Sequence, residues 1–315
     1  MSFPKLNKKA DFDFVWLFAI LAGAAILMLA IYGATKGADT LRYQQETQQA
    51  RSLSVVLGPL QAGFSDSKTN AISFKQDTRI TNFCSEEGFG TNKLSTATKS
   101  NIGDKWSSQG GETTVKNQYI FSSFQEGKKF EILSRPFNYP FKVGDLLFIS
   151  AEKYCLPQIP NDLKNEIKGL GLSNWQTENC TQDIPTICFG STNCDINVIG
   201  TCTSDCKTKY DEGYVQKDGD RFYYVGSLMY GAIFAEKELY DCNVNRLIYK
   251  TKQISEILAD EAKLMDSRGC PTSMQPELTF WAKTLNTTVP DSIVENNGIA
   301  KSIEKKQSLQ GCQLW

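Results

Sequence analysis

Residues 14–34 form one apolar run, FVWLFAILAGAAILMLAIYGA, without a charged side chain anywhere in it. At about 1.5 Å of rise per residue a helix of this length reaches roughly 30 Å, the thickness of a bilayer's hydrocarbon core. Gly23 and Gly33 do not oppose this, because glycine is common in membrane helices. The competing reading is a cleaved secretory signal. Its apolar part runs to roughly 7–15 residues and ends at a small-residue cleavage site, and neither property fits here. The run is read as an uncleaved single-span anchor. Later apolar stretches, such as 223–235, are short and interrupted.

Orientation follows from charge and from sulfur. The head, residues 1–13, carries Lys5, Lys8 and Lys9 against Asp11 and Asp13. Positive residues favour the cytoplasmic side and acidic ones count for little, so the head is placed inside. All ten cysteines lie beyond the run. Thiols persist as disulfides outside the cytosol, and an even number fits full pairing. Cys84, Cys155, Cys180, Cys188, Cys194, Cys202, Cys206, Cys242, Cys270 and Cys312 are therefore all disulfide candidates. Asn179-Cys180-Thr181 and Asn286-Thr287-Thr288 are sequons, making Asn179 and Asn286 candidate glycosylation sites on the outer side. The bulk of the chain is expected to be extracytoplasmic.

Downstream texture changes three times. Residues 35–62 start polar and become amphipathic, with Leu53, Val56, Leu57 and Leu60 on one stripe. They read as a helical stalk continuing the span, kinked or ended by Pro59. Residues 63–235 are strand-rich: runs at 71–83, 113–124, 129–134 and 145–150 are rich in Ile, Phe, Val, Thr and Tyr. The clearest hairpin is 213–226, where Asp218-Gly219 suits a type I′ turn. A short helix is expected after Pro160, capped by Asn161 or Asp162, with Leu163, Ile167 and Leu170 inward. Residues 236–315 switch to helical period. Tyr240, Val244, Leu247, Thr251, Ile254, Leu258 and Met265 make one stripe, Gly269 stops it, and helices at about 275–286 and 298–310 follow. Cys270 and Cys312 bracket this pair, and a bridge between them would clip the tail. The fold class is α+β: a transmembrane helix extended as a stalk, a strand-rich disulfide-containing ectodomain and a C-terminal helical segment.

The chain contains no histidine. That removes the commonest general base and metal ligand, and every Ser-His or Cys-His arrangement. No nucleophile elbow, phosphate loop or dinucleotide fingerprint is present. No catalytic residue and no cofactor are assigned, and the chain is read as a non-enzyme. Cys202-x3-Cys206 falls within zinc-type spacing. Its would-be partner Cys188-x5-Cys194 is too wide, and an oxidising exterior favours bridges. Asp211, Glu212, Asp218 and Asp220 match no calcium loop, and the turn alone accounts for Asp218 and Asp220. Phe137, Tyr139 and Phe141, set around Pro136 and Pro140, are a candidate partner surface; the plainer reading is core, with the prolines marking an edge strand or crossing. A net charge of −1 gives no basic face for a nucleic-acid partner.

FNYPFKVGDLLFISAEKYC (137–155), ICFGSTNCDINVIG (187–200), YDEGYVQKDGDRFYYVG (210–226) and LYDCNVNRL (239–247) together with the anchor resemble a group of uncharacterised single-pass membrane proteins encoded by small-genome archaea. The resemblance implies an archaeal cell-envelope setting and no activity. A second resemblance is to type IV pilin-like proteins: a basic head, a helix half apolar and half amphipathic, then a strand-rich head. Lys8-Lys9-Ala10 before Asp11 is similar to an archaeal prepilin processing site. The large cysteine-heavy body and helical tail depart from pilins. The expectation is a membrane-anchored envelope protein whose ectodomain is structural, adhesive or partner-binding, toward a protein or a surface glycan. A pilin-like subunit forming homo-oligomers through its helix, or a small-ligand-binding ectodomain, is the alternative.

Overall fold

The apolar run and the polar segment behind it form one unbroken helix. In the computed structural model α1 spans Phe14–Leu60. Its 47 residues make a rod about 70 Å long at the usual rise. The structure describes residues 14–60, 67–86, 88–100, 105–178, 180–181, 183–190, 193–203, 206–285 and 290–315. Within α1, residues 14–34 are exposed except for half-buried Ala22. Among the described residues α1 is the one helix long and apolar enough to cross a bilayer. Further along, Glu46, Ala50, Leu53 and Leu57 are buried. Spacings of four, three and four place them on a single face. Val56 and Leu60 lie half-buried at the margin of that face. Pro59 sits in the final turn, where its ring clash falls as the helix is ending.

This face packs on a six-stranded sheet built from β1 (Lys68–Ser85), β2 (Thr91–Thr98), β3 (Thr113–Lys116), β4 (Tyr119–Ile120), β5 (Phe124–Asn138) and β6 (Lys142–Ser150). The order is β3-β2-β1-β5-β6-β4, antiparallel except where β4 runs parallel to β6. The single strand expected over 113–124 is two strands on opposite edges. Asn117 adopts φ 56° between them, a left-handed turn that asparagine tolerates. Pro136 pairs with Asp145 beyond the last β1–β5 pair, Lys68↔Ser134, where one side of β5 is open and proline is accepted.

A second six-stranded sheet contains β7 (Tyr154–Gln158), β8 (Trp175–Gln176), β9 (Thr186–Phe189), β10 (Ile196–Gly200), β11 (Glu212–Lys217) and β12 (Asp220–Val225) in the order β12-β11-β10-β9-β7-β8. Helix α2 (Asn161–Leu170) crosses between the parallel strands β7 and β8. Its N-cap is Pro160, not Asn161 or Asp162, because both of those already lie inside the first turn. The β11–β12 hairpin turns on Asp218 and Gly219, with φ of 53° and 85°, as a type I′ turn requires.

The chain ends in α3 (Leu228–Phe234), α4 (Lys237–Ser267), α5 (Gln275–Thr284), α6 (Ser292–Glu295) and α7 (Asn297–Ser308). Among the described residues, three short helices follow α4 where two were expected. In α4, Tyr240, Val244, Leu247, Thr251 and Leu258 are buried, and Ile254 and Met265 are half-buried. Gly269 follows at φ 85°.

Two buried clusters lie on opposite faces of the first sheet. Leu53 and Leu57 of α1 meet Ile80, Leu94, Ile120, Phe130, Ile132, Leu147 and Ile149. The residues between them, Tyr119, Phe121, Leu133, Leu146 and Phe148, face the second sheet and α3 to α7. Strand alternation sends neighbouring residues into different cores, which is why 145–150 reads as a nearly continuous apolar run. The strand-rich stretch and the helical tail share the larger cluster.

Candidate functional site

The second half of α1 is fastened to the body by polar contacts as well as by its leucines. Glu46 is 1% exposed on the inner face. Its Oε1 accepts the Thr98 backbone N–H at 2.9 Å, the Thr98 hydroxyl at 2.7 Å and the Ser107 hydroxyl. Its backbone carbonyl accepts the Thr96 hydroxyl at 2.9 Å. The Thr47 hydroxyl oxygen accepts the Gly111 N–H at 2.7 Å, and Arg42 Nη2 donates to Ser100 Oγ at 3.2 Å. At the far end Ser134 donates to the Leu60 carbonyl at 2.9 Å. Gly110 allows the close approach: a Cβ there would stand 2.6 Å from the Glu46 Cβ and 2.8 Å from the Thr47 nitrogen. The mount therefore runs from Arg42 to Leu60, while the helix before it stands clear. Glu46 was not legible as a site residue. A glutamate on an amphipathic helix normally faces water, and its partners lie 50 or more residues away in sequence.

All ten cysteines pair: Cys84–Cys242, Cys155–Cys180, Cys188–Cys194, Cys202–Cys206 and Cys270–Cys312. The first ties β1 to α4 across 158 residues, and the last clips the tail to the segment after α4. Asn179 and Asn286 lie outside the described residues. Phe137, Tyr139 and Phe141 are core: they are at most 2% exposed, so they offer no surface to a partner. The tail covers them. Tyr139 meets Trp281 edge-on at 5.1 Å and donates to the Ile293 carbonyl at 2.6 Å, and Phe141 meets Trp315 at 5.5 Å. Strand spacing alone could not say which face would be covered, because the cover comes from residues 281–315.

No family model, no curated protein and no solved structure matches the chain. Its chemistry has to be read from its own side chains. Asp218 lies in the hairpin turn and Asp220 follows it, while Asp211 accepts the Lys207 N–H and the Thr208 hydroxyl. Glu212 faces another way and forms the one grouping of metal-ligand types among the described residues: its carboxylate and the sulfurs of Cys202 and Cys206 lie within 4.8 Å of one another. The two sulfurs are bonded to each other, which withdraws the thiolates that zinc would need. Lys301 Nζ stands 3.3 Å from Cys202 Sγ, 3.6 Å from Cys206 Sγ and 3.7 Å from Glu212 Oε2. Asn297 donates to the same glutamate oxygen. Glu212 and Lys301 also line an open cleft of about 670 Å³ with Glu304 and Lys305.

Two further buried cations were invisible in the sequence pattern. Arg246 is 1% exposed and donates to the carbonyls of Phe89 and Gln118, to Asn92 and Asn243, and to Cys84 Sγ. The hydrogen-bond acceptors that hold it are neutral oxygens and a sulfur. Lys217 Nζ donates to the carbonyls of Ile233 at 2.7 Å and Ala235 at 2.5 Å, closing the end of α3. Burial lowers its pKa from 10.5 to about 8, and nearby Asp218 and Glu236 offset part of that.

Proposed function

We propose that the chain is a membrane-anchored cell-envelope protein. Residues 14–34 span the bilayer with the head in the cytoplasm, and the α+β body is displayed outside as a structural or partner-binding module without enzymatic turnover. One observation carries the reading: the first half of α1 is apolar and, Ala22 apart, exposed, while the second half of the same helix is fastened to the body. Water cannot stably solvate such a rod, and a bilayer can. The ten paired cysteines support an oxidising exterior. The lack of histidine supports a display role over catalysis, toward a protein or glycan partner. The test is full-length protein in sealed right-side-out vesicles, extracted with alkaline carbonate and treated with protease. Retention in the membrane with the body digested is expected; release by carbonate, or a body protected from protease, overturns the reading.

A second reading is favoured by the way α1 projects from an antiparallel sheet, the layout of pilin-like subunits. Cleavage after Ala10 in mass spectra of the native protein would support assembly through α1, and an intact N-terminus would sink it.

A further inference from the structure

Of the five bridges, Cys202–Cys206 is the shortest in sequence, at a separation of 4. Closing so small a loop constrains the unfolded chain least, so this bridge does the least to hold the fold. It is also set among charges. The Lys301 ammonium contacts both sulfurs, and the Glu212 carboxylate pairs with that ammonium at 3.7 Å. Cys202 is buried while Cys206 is partly exposed, and both Lys301 and Glu212 open onto the cleft beside α7. A cation against sulfur stabilises the thiolate, which makes that sulfur a better leaving group and raises the reduction potential of its disulfide.

We propose that Cys202–Cys206 is a thiol–disulfide exchange site, with Lys301 stabilising the leaving thiolate and a dithiol, a pair of cysteine thiols on another chain, as its substrate. This goes beyond the display role and does not depend on the membrane assignment. A thiolate of the dithiol attacks Sγ of Cys206, the less buried residue of the pair. A bond forms between the partner and Cys206, the Cys202–Cys206 bond breaks, and its electron pair leaves on Cys202 Sγ, 3.3 Å from Lys301 Nζ. The partner's second thiolate then attacks its own bridged sulfur and closes the partner's disulfide, expelling Cys206 as a thiolate. The partner is oxidised by two electrons and this pair is reduced. The two protons that the partner gives to solvent balance those taken up by Cys202 and Cys206.

Cys84–Cys242 is the internal reference. Its sulfur also faces a cation, Arg246 Nη1 at 3.3 Å, but it closes a loop of 158 residues and so holds the fold together far more strongly. The full-length protein in detergent micelles is titrated with dithiothreitol at pH 7, quenched by alkylation, and read pair by pair by peptide mass spectrometry. Cys202–Cys206 is expected to open at about one-tenth of the reductant that opens Cys84–Cys242. Lys301→Met should raise its midpoint severalfold, and Lys301→Arg should leave it within about twofold. In the reduced protein, the pH profile of Cys202 alkylation should place its pKa below the usual value of about 8.5, and Lys301→Met should bring it back up. The proposal is overturned if Cys202–Cys206 opens no earlier than Cys84–Cys242 in the unaltered protein. It is equally overturned if Lys301→Met leaves the midpoint unchanged while the other four pairs titrate as before.

Discussion

At Gly110 the gap between α1 and the body is narrower than a methyl group, since a Cβ there would come within 2.8 Å of the Thr47 backbone nitrogen. Gly110→Ala is therefore expected to cost about 2 kcal/mol and to loosen α1 from Arg42 onward. Hydrogen exchange over residues 42–60, compared with the unaltered protein, reads this directly; unchanged protection would contradict the close docking. Gly90 is a second such position. It sits at φ 76°, and a Cβ there would fall 1.7 Å from Arg246 Nε. Gly90→Ala adds strain at a left-handed position to displacement of a buried cation, and about 3 kcal/mol of stability should be lost in a thermal melt. These glycines look like ordinary turn residues in the sequence. Arg246 looks like a surface arginine on α4, because all its acceptors but Asn243 are supplied by residues 84–118, more than a hundred positions earlier.

Glu46 distinguishes a helix that is fastened from one that merely leans on the sheet. Glu46→Ala takes their shared acceptor from the hydroxyls of Thr98 and Ser107 and leaves the Thr98 N–H with Ser107 Oγ alone, at a cost of about 2 kcal/mol. Glu46→Gln keeps an accepting oxygen in place and should retain most of the stability. If both variants melt alike, the hydrogen bonds contribute little. At this scale the sequence was most legible where one local signal governs a whole element. Asp218-Gly219 specified the β11–β12 hairpin, and the apolar stripe of α4 marked its inner face. It was least legible where partners are distant. The break at Asn117 sends β3 and β4 to opposite edges of one sheet, and no pattern within 113–124 announces that separation. Residues 137–141 carry the same alternation whether covered or open, and only the tail decides.

The bridges divide by what they hold together. In the chain-entropy view, the 158-residue loop closed by Cys84–Cys242 stabilises by about 5 kcal/mol, and the short loop of Cys202–Cys206 by about 2 kcal/mol. The double variant Cys84→Ala/Cys242→Ala should therefore lower the melting temperature much further than Cys202→Ala/Cys206→Ala. Equal effects would show that the loop argument fails here. The response to pH has a defined shape. With no histidine, the ordinary side-chain titration near pH 6.5 is absent. Above that, folded Lys217 gives up its proton near pH 8 while the unfolded chain keeps it to about 10.5, so this group's contribution grows as pH rises across that window. Buried Tyr139, Tyr154, Tyr224 and Tyr240 act in the opposite sense. Burial raises their pKa values above the ordinary 10, so the folded state retains protons that the unfolded chain releases, and stability falls as pH climbs past 10. Tyrosinate absorbance from these rings should appear only together with loss of the far-ultraviolet helix signal.

Because α1 runs unbroken from residue 14 into its mount, the body has no joint of its own. Its height and facing are set by counting residues along one rod. Inserting a single residue between 34 and 42 would turn the body about 100° around the helix axis and raise it by about 1.5 Å. Inserting seven would lift it about 10 Å while nearly restoring the original facing. A partner fixed in or on the membrane would therefore respond to insertions with the period of a helix turn, whereas a partner free in solution would not notice them.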